Sequence, residues 1–300
     1  MQILKKNGLF SDPNSLIGKD VSGVTILDLL GHGASGLVYT AFQRSLKRKI
    51  ALKVIPKQNG REDEFIQIRD EAETVAVLNH PNIVTVFDVG ETEEFLFIKM
   101  QLIEGESLKA VINRHLRHPV PSRRLIAVQH ALTIMSSVLD ALDYAHKEDI
   151  VHQDVKPGNI LIETTTGRPF LVDFGIARTF VTEDNSKVVR GTPLYIAPEQ
   201  ARGEVTDARA DIYSAGVVLW ESLAGTLPVA PQSPVKMVGL KARNPESFFL
   251  STPSRHNQRI DLELEQIILQ ATNPVPEMRY QSASQFCRSI SQYQSGGGMV

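Results

Sequence analysis

His152-Gln153-Asp154-Val155-Lys156-Pro157-Gly158-Asn159-Ile160-Leu161-Ile162 is the stretch whose reading decides the fold. It starts polar, passes through Pro-Gly and ends in a β-branched apolar run, which predicts a loop held by a strand. A carboxylate (Asp154), an ammonium (Lys156) and an amide (Asn159) are packed into this loop. They offer a base, a phosphate-binding cation and a metal ligand at one place. Downstream, the apolar run Phe170-Leu171-Val172 leads into Asp173-Phe174-Gly175. An aspartate at the end of a buried strand is costly unless it binds a cation or accepts hydrogen bonds.

Upstream the pattern changes to strands. Val24–Leu30, Gly36–Phe42 and Lys49–Ile55 are rich in β-branched and aromatic residues and bounded by turn residues. Between the first two lies Gly31-His32-Gly33-Ala34-Ser35-Gly36. Glycines let backbone N–H groups approach phosphate oxygens with no Cβ in the way. Alone, this spacing also fits an ordinary hairpin or a dinucleotide fingerprint. The fingerprint needs a helix to follow, and here a strand follows. Lys53 sits in the third strand and is either an edge charge or a buried cation with a partner. From Asp63 to Leu78 the apolar residues Phe65, Ile68, Ala72, Val75 and Leu78 recur at helical spacing. That helix presents Glu71 as the candidate partner of Lys53. Two more strands, Val84–Val89 and Phe95–Leu102, complete a β-rich first part.

Beyond Glu104-Gly105 the reading is mostly helical. Ser122 is the expected cap of a long helix carrying Leu125, Val128, Leu132, Met135, Leu139 and Leu142. Short strands flank Thr164–Gly167, and helices are predicted over Asp207–Ala224, Asp261–Ala271 and Ser282–Gln292.

Taken together, these motifs resemble the catalytic domain of eukaryotic-like (Hanks-type) serine/threonine protein kinases, most like bacterial members. The family order is kept: glycine-rich loop, Ile50-Ala51-Leu52-Lys53, Glu71, the His152-x-Asp154 loop with Asn159, Asp173-Phe174-Gly175, and Ala197-Pro198-Glu199. The resemblance implies an α+β, two-lobed fold with a β-rich small N-terminal lobe and a mostly helical large C-terminal lobe. It implies transfer of the ATP γ-phosphate to protein Ser/Thr hydroxyls, with autophosphorylation, and ATP with Mg²⁺ or Mn²⁺ as cofactors. The same fold used as a pseudokinase, a binding or scaffold module, is the alternative.

Roles follow by position. Gly31, Gly33 and Gly36 cover the phosphates; Lys53, oriented by Glu71, holds the α- and β-phosphates. Leu30, Val38, Ala51, Met100 and Leu161 line the adenine pocket, and Gln101 to Ile103 form the hinge. Asp154 receives or aligns the acceptor hydroxyl proton, Lys156 steadies the γ-phosphate, and Thr192 bonds near both. Asn159 and Asp173 hold the metal. Val75, Val86, His152 and Phe174 match a stacked apolar column, Asp211 an anchor of the catalytic loop backbone, and Glu199 with Arg279 a buried ion pair.

One residue departs from the family pattern. Gln153 stands where the family has an arginine that pairs with an activation-loop phosphate. A neutral amide cannot form that charge pair, so the chain reads as non-RD, with weaker dependence on phosphorylation of Thr179, Thr182 or Ser186.

Composition agrees with this reading. In 300 residues, 32 Lys+Arg face 34 Asp+Glu, a formal charge of −2. A nucleic-acid binder usually carries a basic excess, so none is expected as a partner. The single cysteine, Cys287, excludes an internal disulfide and reads as an inert core thiol. No stretch read from the sequence approaches the roughly 20 apolar residues of a membrane span. The expectation is a cytoplasmic protein with a protein substrate, and with a dimer or a separate regulatory partner to bring its signal. The expected domains are a leader over 1–23, a kinase domain over 24–293 (lobes 24–103 and 104–293) and a flexible tail over 294–300.

Overall fold

The computed structural model describes residues 12–32, 36–57, 62–174, 179–181, 188–190 and 192–296. They divide into two units: residues up to Asn79 with Val84–Ile103, and His80–Ile83 with the chain from Glu104 onward.

The first unit is an antiparallel sheet of six strands: β1 (Asp20–Val21), β2 (Val24–His32), β3 (Leu37–Gln43), β4 (Arg48–Pro56), β5 (Val86–Glu91) and β6 (Phe95–Met100), in the order β1-β2-β3-β4-β6-β5. Helix α1 (Glu62–Val75) connects β4 to β5. Alternation decides which way β3 faces: Leu37, Tyr39 and Ala41 are buried and the residues between them are half-buried. β4 and β6 lie at the centre and are buried on both faces, which is why both read as continuous apolar runs. Each run is broken by one lysine, Lys53 and Lys99, both buried. Lys99 donates to Asp88 Oδ2 at 2.7 Å and to the Ser22 carbonyl at 2.9 Å.

The stretch expected as a leader is built into this unit from residue 12 onward. A 3₁₀ turn, Pro13–Leu16, buries Leu16 in the core beside Val21 and Ile26. The Tyr39 hydroxyl donates to the Pro13 carbonyl at 2.7 Å, and burial, with Asp12 nearby, pushes its pKa up to about 12. The apolar residues of this stretch are too sparse in sequence to show a period, so it reads as a leader although the turn Pro13–Leu16 orders it.

The second unit is helical, with a three-stranded sheet β7 (Gly105–Ser107), β8 (Ile160–Glu163) and β9 (Pro169–Leu171). Its helices are α2 (Leu108–Leu116), α3 (Val128–Lys147), α4 (Pro198–Ala201), α5 (Ala208–Ala224), α6 (Pro234–Arg243), α7 (Leu262–Ala271) and α8 (Ala283–Ser295). Strands β10 (Thr179–Val181) and β11 (Val188–Arg190) pair with each other.

Capping explains several boundaries. Asp207, Asp261 and Ser282 are not helical themselves; each accepts a backbone N–H of the first turn. α5 ends at Gly225, whose φ of 77° is the left-handed cap. From Ala210 to Ala224 every residue of α5 is buried, so it is the central helix of its unit.

Ser122 is not the cap of α3. It lies in a 3₁₀ turn, Pro121–Arg123, and α3 begins at Val128 after an uncapped Ala127. Pro121 fixes the turn and leaves Leu125 outside the helix. The segment Pro121–Lys147, which contains α3, is by length and apolar composition long enough to cross a membrane, which the sequence reading did not anticipate. Its apolar side is committed to the core of the unit: Leu132, Met135, Leu139 and Leu142 are all buried.

Candidate active site

The sheet unit carries the nucleotide-side candidates, and the ladder register sets where they point. Val38 is paired with Lys53, and Ala51 with Met100. Paired residues share a face, and so do residues two apart on one strand. Val38, Ala51, Lys53 and Met100 therefore lie on one face, opposite the core face of Leu37, Tyr39, Leu52 and Val54. Gly31 pairs with Val38 and joins the first set. Leu30 is the extra residue of a bulge between the Leu29 and Gly31 pairings, and it is 53% exposed.

The glycines differ in what demands them. A Cβ on Gly36 would lie 2.1 Å from the Val54 carbonyl oxygen, so packing alone requires glycine there. A Cβ on Gly31 would meet no atom of the described residues within 4 Å. Packing among the described residues therefore does not require glycine there. Gly33 and the side chain of Glu71 lie outside the described residues. Gln101 follows β6, its N–H bonded to the Thr85 carbonyl, and Ile103 is buried.

The helical unit carries the chemistry-side candidates, and its geometry is tight. Asp154 is buried, and both carboxylate oxygens are engaged. Oδ1 accepts the Thr192 hydroxyl at 2.8 Å; Oδ2 accepts Lys156 Nζ at 2.5 Å and Asn159 Nδ2 at 3.2 Å. Lys156 also donates to Thr192 Oγ1 at 3.0 Å. Asn159 Nδ2 is shared with the Asp154 carbonyl, which leaves Oδ1 with no hydrogen bond among the described residues. Asp173 is brought alongside by the backbone: the Val172 N–H donates to the Asn159 carbonyl at 3.0 Å. A neutral amide oxygen and a carboxylate are the hard oxygen donors that Mg²⁺ takes. The two residues present thus fit the metal. Leu161, half-buried on β8, pairs with Phe170.

Two residues here hold φ in the left-handed region, Gln153 at 64° and Asp173 at 62°. Each costs about 1–3 kcal/mol unless its surroundings enforce it. Asp211 enforces the first. Asp211 is fully buried in the first turn of α5, where its Oδ2 accepts the His152 N–H at 2.7 Å and Oδ1 the Gln153 N–H at 2.8 Å. Burial by itself raises the Asp211 carboxyl; the His146 ring, 2.8 Å from Oδ2, and the backbone donors outweigh it and hold its pKa below the usual value. His152 Nε2 donates to the Val172 carbonyl at 3.0 Å and Nδ1 accepts the Asp154 N–H at 3.3 Å. Burial is the largest influence on this ring and lowers its pKa, so it stays neutral. It also packs on Phe174, ring centres 4.4 Å apart.

The Glu199–Arg279 pair is buried and bidentate, with two bonds of 2.7 Å. Cys287 is half-buried, and burial raises its thiol pKa.

The model of the protein kinase domain family matches residues 24–290. This chain belongs to that family. The serine/threonine-protein kinase PrkC of Bacillus subtilis is 39% identical to the kinase domain over 277 residues, 89% of this chain and 40% of the relative. The serine/threonine-protein kinase PknB of Mycobacterium leprae is 36% identical over 279 residues, 90% of this chain and 42% of the relative. The chain thus spans about two fifths of the length of these curated relatives. The crystal structure of the Mycobacterium tuberculosis PknI kinase domain matches with a TM-score of 0.71 at 29% identity, covering 92% of this chain and 98% of that one. The expected α+β kinase fold, with a β-rich small lobe and a helical large lobe, is borne out.

Sequence reasoning missed three anchors near the site. Gln200 accepts the Ala197 N–H at 2.9 Å and donates to the Gln153 carbonyl at 3.2 Å. Glu221 accepts the Tyr195 hydroxyl at 2.6 Å. Lys241, on α6, is completely buried. Its one signal was a spacing of three from Val238, which puts both on one helix face.

Proposed function

We propose that this kinase domain transfers the γ-phosphate of ATP to Ser/Thr hydroxyls of proteins, itself included. The observation that carries the reading is the Asp154 carboxylate, held by Thr192, Lys156 and Asn159 at hydrogen-bond distance. Phosphoryl transfer depends on positioning and charge neutralisation more than on covalent help. Asp154 aligns the acceptor hydroxyl and receives its proton. Lys156 neutralises the transferring phosphoryl oxygens. Thr192 keeps Asp154 and Lys156 in register. Gly31, Gly33 and Gly36 cover the phosphates, and Lys53 with Glu71 orients them. Leu30, Val38, Ala51, Met100 and Leu161 hold the adenine, with Gln101 and Ile103 as hinge. Asn159 and Asp173 hold Mg²⁺ or Mn²⁺, which when bound screens the negative charge on the phosphates.

Gln153 cannot pair with a phosphate, so the activity depends little on phosphorylation of Thr179, Thr182 and Ser186. Thr182 and Ser186 lie outside the described residues, as does the side chain of Thr179. A cytoplasmic site of action, a kinase domain over 24–293 and activation through dimerisation or a separate partner belong to the same reading.

The test is transfer from labelled ATP with Mg²⁺ to the chain itself and to casein. In Asp154→Ala the label on serine and threonine falls by about 10³-fold, within the 10²–10⁴ typical of a lost general base. The triple alanine variant at Thr179, Thr182 and Ser186 still phosphorylates casein. A folded wild-type chain that binds Mg-ATP without transferring phosphate supports the pseudokinase alternative instead.

A further inference from the structure

Lys241 has an environment that a lysine rarely occupies. It is completely buried, and its Nζ donates to two main-chain carbonyls, Leu194 and Ile196, both at 2.7 Å. Two aromatic faces complete its surroundings, Phe248 at 4.3 Å and Tyr213 at 5.1 Å. The nearby carboxylate, Glu199, is taken by Arg279. The ammonium is thus held by carbonyl dipoles and rings, and burial with the neighbouring Arg279 charge drives its pKa down.

The residues it fastens matter because of where they begin. The run 192–196 starts at Thr192, whose hydroxyl is bonded to Asp154. The Tyr195 N–H closes a turn onto the Thr192 carbonyl at 2.8 Å. Three successive carbonyls then point into the protein, and none has a ladder or helix partner among the described residues. Lys241 takes those of Leu194 and Ile196, and Ser214 Oγ takes that of Tyr195 at 2.9 Å. Buried carbonyls left unpaired would be expelled or repacked. The path of this run is therefore set by two side chains from other helices. Thr192 and Leu194 keep part of their surface exposed, while Pro193, Tyr195 and Ile196 are buried. The exposed edge thus leads away from the catalytic carboxylate, where an acceptor chain presenting its hydroxyl to Asp154 must pass.

We propose that Lys241 is a positioning residue for the protein acceptor: its buried ammonium fastens the Leu194 and Ile196 carbonyls and so shapes the edge along which the acceptor lies. The inference rests on the kinase reading. It separates two sides of the reaction, since Lys241 touches nothing assigned to ATP.

The experiment compares wild type with Lys241→Met, which keeps the length and removes the charge. Casein phosphorylation is measured against casein and against ATP concentration, with ATP hydrolysis to water in the absence of casein as a third readout. The acceptor KM rises by about fivefold or more, whereas the KM for ATP and the hydrolysis rate stay within about twofold, the pattern of lost acceptor binding. Equal losses on the acceptor and ATP sides, or no change on either, overturn the proposal. If Lys241→Met does not fold, Ser214→Ala, which releases the carbonyl between the two, decides by the same criteria. No transfer by wild type overturns the kinase reading and this inference together; normal transfer by wild type with an unshifted variant overturns the inference alone.

Discussion

The two units hold their candidate residues by different means. In the sheet unit, Val38, Ala51, Lys53 and Met100 share a face because the ladders pair Val38 with Lys53 and Ala51 with Met100. Backbone hydrogen bonds set that register, and side chains need only be compatible with it. In the helical unit, Asp154, Asn159, Asp173 and Thr192 lie on irregular backbone, with left-handed residues at Gln153 and Asp173. No ladder specifies such a path. Buried polar side chains do: Asp211 beneath His152 and Gln153, Gln200 on the Gln153 carbonyl, Lys241 and Ser214 on the run after Thr192. The candidates for the chemistry thus depend on single side chains, and the candidates for the nucleotide on a distributed ladder.

That contrast is most directly broken at Asp211. Asp211→Asn places an amide where a carboxylate faces two backbone N–H groups and His146. The expected loss is about 3–5 kcal/mol, the range for removing one partner of a buried pair, read as a lower denaturant midpoint. Phosphate transfer falls further than stability does, because Gln153 then leaves its left-handed conformation. A variant with wild-type midpoint and activity would show that the catalytic loop does not need its anchor.

A smaller effect belongs to the sheet unit. Gly36→Ala must push the Val54 carbonyl away, at a cost of about 1–3 kcal/mol for overpacking. Gly31→Ala meets no atom of the described residues, so its melting temperature stays at that of wild type while its KM for ATP rises. If both alanines destabilise alike, the division between a packing glycine and a ligand-facing one is wrong.

The smallest expected effect is a pH slope. The folded-state pKa of His152 lies below its unfolded value of 6.5 because the ring is buried. Between those two values the unfolded chain binds a proton that the folded chain does not, so stability rises with pH through that window and is lost as pH falls below 6.5. Melting temperatures from pH 7 to pH 5 then fall less steeply in His152→Asn than in wild type, even though the variant is less stable at neutral pH. Equal slopes would remove His152 from the acid response.

Much of this was legible in the residues, and the gaps have physical causes. The central strands were readable because both their faces are buried. Asp207, Asp261 and Ser282 marked helix starts because a cap is a local hydrogen bond between neighbours in sequence. Ser122 misled because the same residue type also suits a turn after proline. The segment from residue 12 to 23 looked loose because what orders it, Tyr39 on Pro13 and Leu16 in the core, is contributed by distant strands. Lys99 and Lys241 passed unnoticed because a lysine in an otherwise apolar element reads the same whether its head reaches water or a buried carbonyl.

By itself, the sequence determined the family, the order of the strands along the chain, and the carboxylate, ammonium and amide proposed to do the chemistry. These depend on residue type at short spacing. Only the tertiary structure decided the conformation of Gln153 and Asp173, the packing that requires glycine at Gly36, and the carbonyls that Lys241 holds. Each of those depends on which atoms from remote elements satisfy a buried polar group, and that pairing is settled only when the helices pack.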